Sequence, residues 1–243
     1  SINLRANFSS QLDPLESFRA IRLMRWLLPK QRFQKFLDDL TALSWPYVLT
    51  SHGYQLSLRS YPRHQLWKEL EEVIIRLEGL GYSVFLTSGT LLGLVRDGNL
   101  LTYDDDIDLA IYPSGQNLDE VANGYRSLKS QLPELLWMSN SDVLHLSFSL
   151  GPKLPSVDLF PVWDVGGNAV FVYPAGPIDR STIAPLGELS DGGAALPVPR
   201  NPNALLTVLY GNWRKSDNAF RFNWRKKTRR KGLQAFHEAL RRN

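Results

Sequence analysis

The chain has 243 residues, 43% of them hydrophobic, enough to bury the core of one ordinary domain with elaborations at its ends. It contains no cysteine, which excludes disulfides, thiolate metal sites and a cysteine nucleophile, so any bound metal must use oxygen or imidazole ligands. A formal net charge of +4 hides an asymmetry, because residues 200–243 carry twelve of the 28 Lys and Arg against two acids, a balance that suits an acidic partner.

No apolar run approaches the roughly 18 to 20 residues that span a bilayer, and the start lacks a signal-peptide pattern. This fits a cytoplasmic enzyme, with the basic segments available for peripheral contact at the inner face of a membrane. Residues 14–43 read as amphipathic helix, split at Pro29, with Leu15, Phe18, Ile21, Leu27, Phe33, Phe36 and Leu37 recurring among basic residues. Packing of that apolar face on the main domain is the expectation, with membrane contact as the minority alternative. His64 to Leu80 carries a helical stripe (Leu66, Leu70, Val73, Ile74, Leu77, Leu80), and Gly81 stands where a left-handed cap belongs. Ser83 to Leu86 then reads as a strand, followed by a short helix near Thr90, an Asp97-Gly98-Asn99 loop and a strand from Asp106 to Ile111. A helix within Leu118 to Leu132, strands at Val143 to Leu150 and Ser156 to Val162, and a strand at Ala169 to Val172 follow. Between Pro174 and Pro202 the density of Pro and Gly predicts a long loop. Helices at Ala204 to Tyr210 and Gly232 to Arg242 close the chain. The pattern is α/β: a mixed sheet flanked by helices, with a helical extension over 1–60, a catalytic core over 61–215 and a basic helical tail over 216–243.

Alternate residues of a strand share a face, so Asp106 and Asp108 project together while Ile107 and Leu109 face the core. Like charges this close raise one another's pKa unless neutralised, and near phosphate chemistry the natural neutraliser is a hard divalent cation, Mg²⁺ or Mn²⁺. Asp158, an acid inside the apolar run Val157-Asp158-Leu159-Phe160-Pro161, completes a three-carboxylate site if its strand lies beside the first. Asp104 and Asp105 precede the strand and suit loop hydrogen bonds or water held near the cation. The turn Ser88-Gly89-Thr90 offers backbone N–H groups and hydroxyls at a helix start, which suits a phosphate. Arg96, two turns on, has the fork to clamp one, a surface salt bridge being the plainer alternative.

These residues resemble a known pattern. Gly89-Thr90-Leu91-Leu92-Gly93, then Arg96, then Asp104-Asp105-Asp106-Ile107-Asp108 look like the G-T-L-L-G-x-x-R and D-D-D-I-D signature of the LicD and fukutin family. Val157 to Pro161 resembles that family's I-D-I-F-P strand, and Leu209-Tyr210-Gly211-Asn212-Trp213 its Y-G-x-W segment. Tyr103 stands where the family usually shows Trp, and residues 1–60 and 220–243 match no family feature. The resemblance implies the nucleotidyltransferase fold of DNA polymerase β, with metal on Asp106, Asp108 and Asp158 and donor phosphates handled by Gly89, Thr90 and Arg96. It also implies transfer of a phospho-alcohol, such as phosphocholine, glycerol phosphate or ribitol phosphate, from a CDP-linked donor to a glycan acceptor with release of CMP. Tyr210 and Trp213 are open to stacking on nucleotide or glycan, or to core packing. Two other readings stand beside this one. One is a nucleotidyltransferase that attacks the inner phosphorus of an NTP. The other is a nucleic-acid-binding module built on Arg221, Trp224, Arg225, Lys226, Lys227, Arg229, Arg230 and Lys231.

Overall fold

The computed structural model describes residues 24, 26–50, 53–113, 116–137, 146–171, 177–215 and 227–242. Helix α1 (Lys30–Ser44) begins directly after Pro29, and a hairpin of β1 (Tyr47–Thr50) and β2 (Gly53–Leu56) follows it. The expectation of a wholly helical extension is thereby corrected: the β-branched and aromatic residues Tyr47, Val48 and Tyr54 pair as strands instead. Nothing in α1 is fully buried; Phe33, Phe36, Leu37 and Leu40 are half-covered, Leu27 ahead of Pro29 is exposed, and residues 14–23 and 25 of the helix expectation lie outside the described residues.

Helix α2 (Arg63–Gly79) buries Leu66, Trp67, Leu70, Val73, Ile74 and Leu77, and ends at Gly81, whose φ of +89° supplies the left-handed stop. Then come β3 (Ser83–Leu86), α3 (Ser88–Asp97), β4 (Asp106–Tyr112), and α4 (Leu118–Gln131), the last opened by a capping box of Asn117 and Glu120. After β5 (Leu136–Trp137) and β6 (Leu146–Ser149), the ten-residue β7 (Ser156–Val165) crosses the molecule, and β8 (Asn168–Phe171) and β9 (Pro177–Asp179) extend its far half. The sheet runs β3-β4-β7-β6-β5; β4 and β7 are parallel and the other pairs antiparallel. It is the mixed sheet flanked by helices that the sequence pattern predicts. No helix among the described residues is long and apolar enough to cross a membrane.

The long loop expected between Pro174 and Pro202 is a second correction. It holds β9 and a hairpin of β10 (Gly187–Asp191) and β11 (Ala194–Val198). Gly192 and Gly193 take φ of +57° and +87°, as a two-residue hairpin turn requires, and Pro197 is tolerated because β11 pairs on one side only. This hairpin is clamped to α2: Asp191 accepts hydrogen bonds from Arg63 and from Trp67 Nε1 (2.7 Å), while Arg63 also reaches Asn99. Helix α5 (Pro202–Tyr210) starts on an Asn201 cap with Pro at its first position. Helix α6 (Lys227–Arg241) lays Phe236 between Tyr125 and Trp163, stacked on the latter at 5.9 Å, and Arg126 Nη1 donates to Leu240 O at 2.6 Å. The basic run Arg221 to Lys226 lies outside the described residues, as do the side chains of Lys227 to Lys231.

Candidate metal and phosphate site

The parallel pairing of β4 and β7 puts Asp108 directly opposite Asp158, on the face that Asp106 shares two residues earlier. The three residues are only 8–9% exposed, and an oxygen from each lies within 4.8 Å of the others. The strand neighbours Ile107, Leu109, Val157 and Leu159 are fully buried on the opposite side, which holds the carboxylates in register. The strand of Asp158 thus lies beside that of Asp106 and Asp108, the condition the sequence reading set, and β6 adds a partner from the other edge: Ser147 Oγ donates to Asp158 Oδ1 at 2.6 Å.

Asp108 is the most heavily supported of the three. Its backbone N–H donates to Thr90 Oγ1 at 2.9 Å and its C=O accepts from Thr87 N at 3.0 Å. Its Oδ2 accepts from Gly89 N at 2.7 Å and Thr90 N at 3.3 Å, at the start of α3, where the helix field favours negative charge. Even so, burial and then the negative fields of Asp106 and Asp158 push its pKa well above the carboxylate range, outweighing the two N–H donors. Asp104 is raised in the same way, by burial first and then by Asp106 and Asp108. Its Oδ2 is sealed from solvent without a hydrogen-bond partner.

Two glycines make this crowding sterically feasible. A Cβ on Gly89 would lie 2.5 Å from Asp104 Oδ2 and 3.2 Å from Asp108 Oδ2. A Cβ on Gly93 would meet Asn99 O at 2.7 Å and Leu101 N at 2.9 Å, so its absence lets α3 lie against the loop that returns to Asp104. That loop is pinned from the other side by the segment after β2 and by α1. Ser57 Oγ donates to Thr102 O (2.7 Å), Leu58 N to Asp104 O (2.8 Å), Arg59 Nη1 to Thr102 Oγ1 (2.8 Å), and Tyr103 OH to Asp38 Oδ1 (3.2 Å). Asp105 is half-buried and near Tyr61, whose hydroxyl pKa is raised by burial and then by the Asp105 charge.

The phosphate-turn residues are brought to the carboxylates, in a more specific way than their types imply. The N–H groups of Gly89 and Thr90 and the Thr90 hydroxyl engage Asp108. Ser88, at φ +44°, is the one non-glycine residue in the left-handed region among those described, a conformation that costs about 1–2 kcal/mol. Arg96 lies in the last turn of α3 and forks onto Asp97, with both contacts at 2.8 Å, and is near enough to Tyr210 to feel its hydroxyl. Trp213 is a packing residue, 5% exposed, with Nε1 donating to Thr207 Oγ1 and Arg214 over its ring at 4.4 Å. Tyr210 is different: burial first, and then the negative fields of Asp108, Asp104 and Asp106, push its hydroxyl pKa well above the usual range.

Sequence reasoning missed Ser147 and the Ser57 to Arg59 clasp. The alternation Leu146-Ser147-Phe148 placed Ser147 on a polar face, but only strand pairing shows that the face is Asp158's. The clasp acts across more than forty residues and leaves no local signal.

Buried acids this close, with no basic side chain paired to Asp104 or Asp108 among the described residues, must bind protons or a cation. An all-oxygen set fits Mg²⁺ or Mn²⁺. Asp104, Asp105 and Asp106 form a second group of mutually close oxygens, sharing Asp106 with the first.

Comparison with known proteins places this geometry in context. Residues 81–201, about half of the chain, match the family model described as LicD/FKTN/FKRP, nucleotidyltransferase domain. No curated protein sequence matches the chain. Among solved structures, the chain is similar to ANT(2")-Ia in complex with adenylyl-2"-tobramycin, at 13% identity and TM-score 0.42, over 73% of this chain and 90% of that one. It is also similar to E. coli MS115-1 CdnC with ATP, at 15% identity and TM-score 0.34, over 58% of this chain and 43% of that one.

Proposed function

The chain belongs to the LicD/FKTN/FKRP nucleotidyltransferase-domain family, and from that premise we propose a metal-dependent transferase that moves a phospho-alcohol from a CDP-linked donor to a hydroxyl of a cell-surface glycan. The observation that carries this reading is the convergence of Asp106, Asp108 and Asp158 beneath the Ser88-Gly89-Thr90 turn. Asp106 and Asp108 would hold the cation, Mg²⁺ or Mn²⁺, with Asp158 placed either to complete its ligand set or to accept a proton. When bound, it neutralises the donor phosphates and the charge left on departing CMP. The acceptor hydroxyl attacks the distal phosphorus; its O–P bond forms as the P–O bond to CMP breaks, and Asp158 either holds the cation or takes the hydroxyl proton. Thr90 and Gly89 fix Asp108, and Gly89 leaves room for the carboxylates to approach. Ser88 and Arg96 serve the donor phosphates, with Asp97 setting the plane of the guanidinium. Positioning and preorganised charge supply most of the acceleration.

The working organisation is a catalytic core over 61–215 with extensions over 1–60 and 216–243. The capsule, lipopolysaccharide or teichoic-type glycans are the acceptors to test, and the basic segments are the candidates for contact with an anionic membrane. The decisive experiment is ³¹P NMR with Mg²⁺, a mixed glycan extract and a panel of CDP-linked alcohols, beside EDTA and Asp106→Asn controls. CMP plus a new phosphodiester signal, absent in both controls, is the expected result. Intact CDP donors together with pyrophosphate release from an NTP would replace this reading with the nucleotidyltransferase one.

A further inference from the structure

Three consecutive residues on the approach to β4 are each held by a residue that precedes position 61. Thr102 accepts twice, on its carbonyl from Ser57 Oγ at 2.7 Å and on its hydroxyl from Arg59 Nη1 at 2.8 Å. Tyr103 OH donates to Asp38 Oδ1 at 3.2 Å, and the Asp104 carbonyl accepts from Leu58 N at 2.8 Å. The holding segment is itself fixed: Ser57 and Leu58 are fully buried, Ser57 N donates to Pro46 O at 3.0 Å, and Ser60 Oγ donates to Ser57 O at 2.6 Å. The residues so held lie between the end of α3 at Asp97 and the start of β4 at Asp106, outside any helix or strand. Yet they deliver Asp104, an oxygen of which lies within 4.8 Å of oxygens of Asp105 and Asp106, and its Oδ2 packs 2.5 Å from where a Cβ on Gly89 would stand. Like charges this close push an unrestrained loop outward. The Ser57 hydroxyl and the Leu58 N–H grip carbonyls two residues apart and oppose that push.

We propose that Ser57 is a positioning residue: its buried hydroxyl, bonded to the Thr102 carbonyl, fixes the loop before β4 so that Asp104 stays in the carboxylate cluster. The cluster is thereby preorganised for a divalent cation, and the segment before residue 61 is a working part of the site. The consequence for the cation rests on the function proposed above, whereas the hold on the loop does not. Ser57 carries more of this hold than Arg59, because Arg59 is exposed and its bond competes with water, while Ser57 is fully buried.

The test uses the full ¹⁵N-labelled chain as wild type, Ser57→Ala, Asp104→Asn, the double variant and Ser127→Ala. The last removes a hydroxyl bonded to a backbone carbonyl in α4, Gly124 O at 2.8 Å, and controls for the loss of such a bond elsewhere. Ser57→Ala should raise exchange of the Leu58 amide, whose acceptor is Asp104 O, by about tenfold after correction for the altered neighbour, with β4 and β7 amides unchanged. Mn²⁺ affinity, read by electron paramagnetic resonance of free Mn²⁺, should fall about tenfold in Ser57→Ala and less than about twofold in Ser127→Ala. In the Asp104→Asn background, where the carboxylate that the loop delivers is already neutral, Ser57→Ala should cost less than about twofold more. Unchanged Leu58 exchange in Ser57→Ala would overturn the proposal. So would wild-type Mn²⁺ affinity in that variant, an equal loss in Ser127→Ala, or the full loss persisting in the Asp104→Asn background. If Leu58 exchange responds as expected while wild type binds no Mn²⁺, the hold of Ser57 on the loop stands and the metal reading falls.

Discussion

Replacing Gly89 by Ala perturbs the carboxylate cluster with a single methyl group. The new Cβ would lie 2.5 Å from Asp104 Oδ2 and 3.2 Å from Asp108 Oδ2, where ordinary contact begins near 3.4 Å. Asp104 must therefore withdraw by about 0.9 Å and Asp108 by about 0.2 Å, the latter itself the tolerance of a metal–oxygen distance. Gly89 is not in the left-handed region, so Ala meets no backbone penalty and gains about 1 kcal/mol of helix propensity. Against this stands an overpacking cost of about 1–3 kcal/mol. The net loss is about 0–2 kcal/mol, a fall in melting temperature of roughly 0–8 °C for a chain of this size. Mn²⁺ affinity should fall far out of proportion, by about 10- to 100-fold. Calorimetric titration with Mn²⁺ and a thermal melt on the same samples separate the two effects. Gly79→Ala is the control, because a Cβ there has nothing within 4 Å. Wild-type Mn²⁺ affinity in Gly89→Ala, or a loss matched by Gly79→Ala, would refute the reasoning that this glycine exists to let the carboxylates close.

Asp106→Asn and Asp108→Asn should each reduce Mn²⁺ affinity at least about 100-fold while circular dichroism stays native, and near wild-type binding in either would remove the metal assignment. Stability without metal should depend on pH with a definite sign. Asp104 and Asp108 have folded pKa values raised above the unfolded carboxylate value of about 3.9, so the native state binds more protons between the two values. Stability then declines as pH rises through that window, and Mg²⁺ should restore it above the window and do little near pH 4; a metal-induced melting shift equal at pH 4.5 and pH 8 would contradict this. Ser147→Ala should lower Mn²⁺ affinity about tenfold without a comparable loss of stability, since it removes the 2.6 Å bond that orients Asp158. Asp191→Ala should destabilise by about 2–4 kcal/mol, because Arg63 and the Trp67 indole lose their shared acceptor under partial burial; a melt within 2 °C of wild type would show that the hairpin is not held by this contact.

The sequence by itself determined what local pattern can determine. The stripe from Leu66 to Leu77 implies a helix because its period is set by backbone geometry, and Gly81 marks its end because only glycine takes φ +89° freely. Asp106 and Asp108 share a face because any strand alternates, and the G-T-L-L-G and D-D-D-I-D spacing identified the family. The β10–β11 hairpin was hidden because its prolines read as loop, although the Gly192-Gly193 pair was the turn signal. Tertiary structure alone decided the rest. Whether Asp158 meets Asp108 depends on which strands pair, and the parallel register of β4 and β7 joins residues fifty apart. The use of the turn's N–H groups to brace Asp108, the clasp of Ser57 on Thr102 and the placement of Tyr210 in the field of the carboxylates are likewise products of packing. The physical reason is that periodicity and turn chemistry act over a few residues, whereas acidity, burial and mutual distance are properties of a site assembled from β4, β7, α3 and α5. No single segment of chain contains that information.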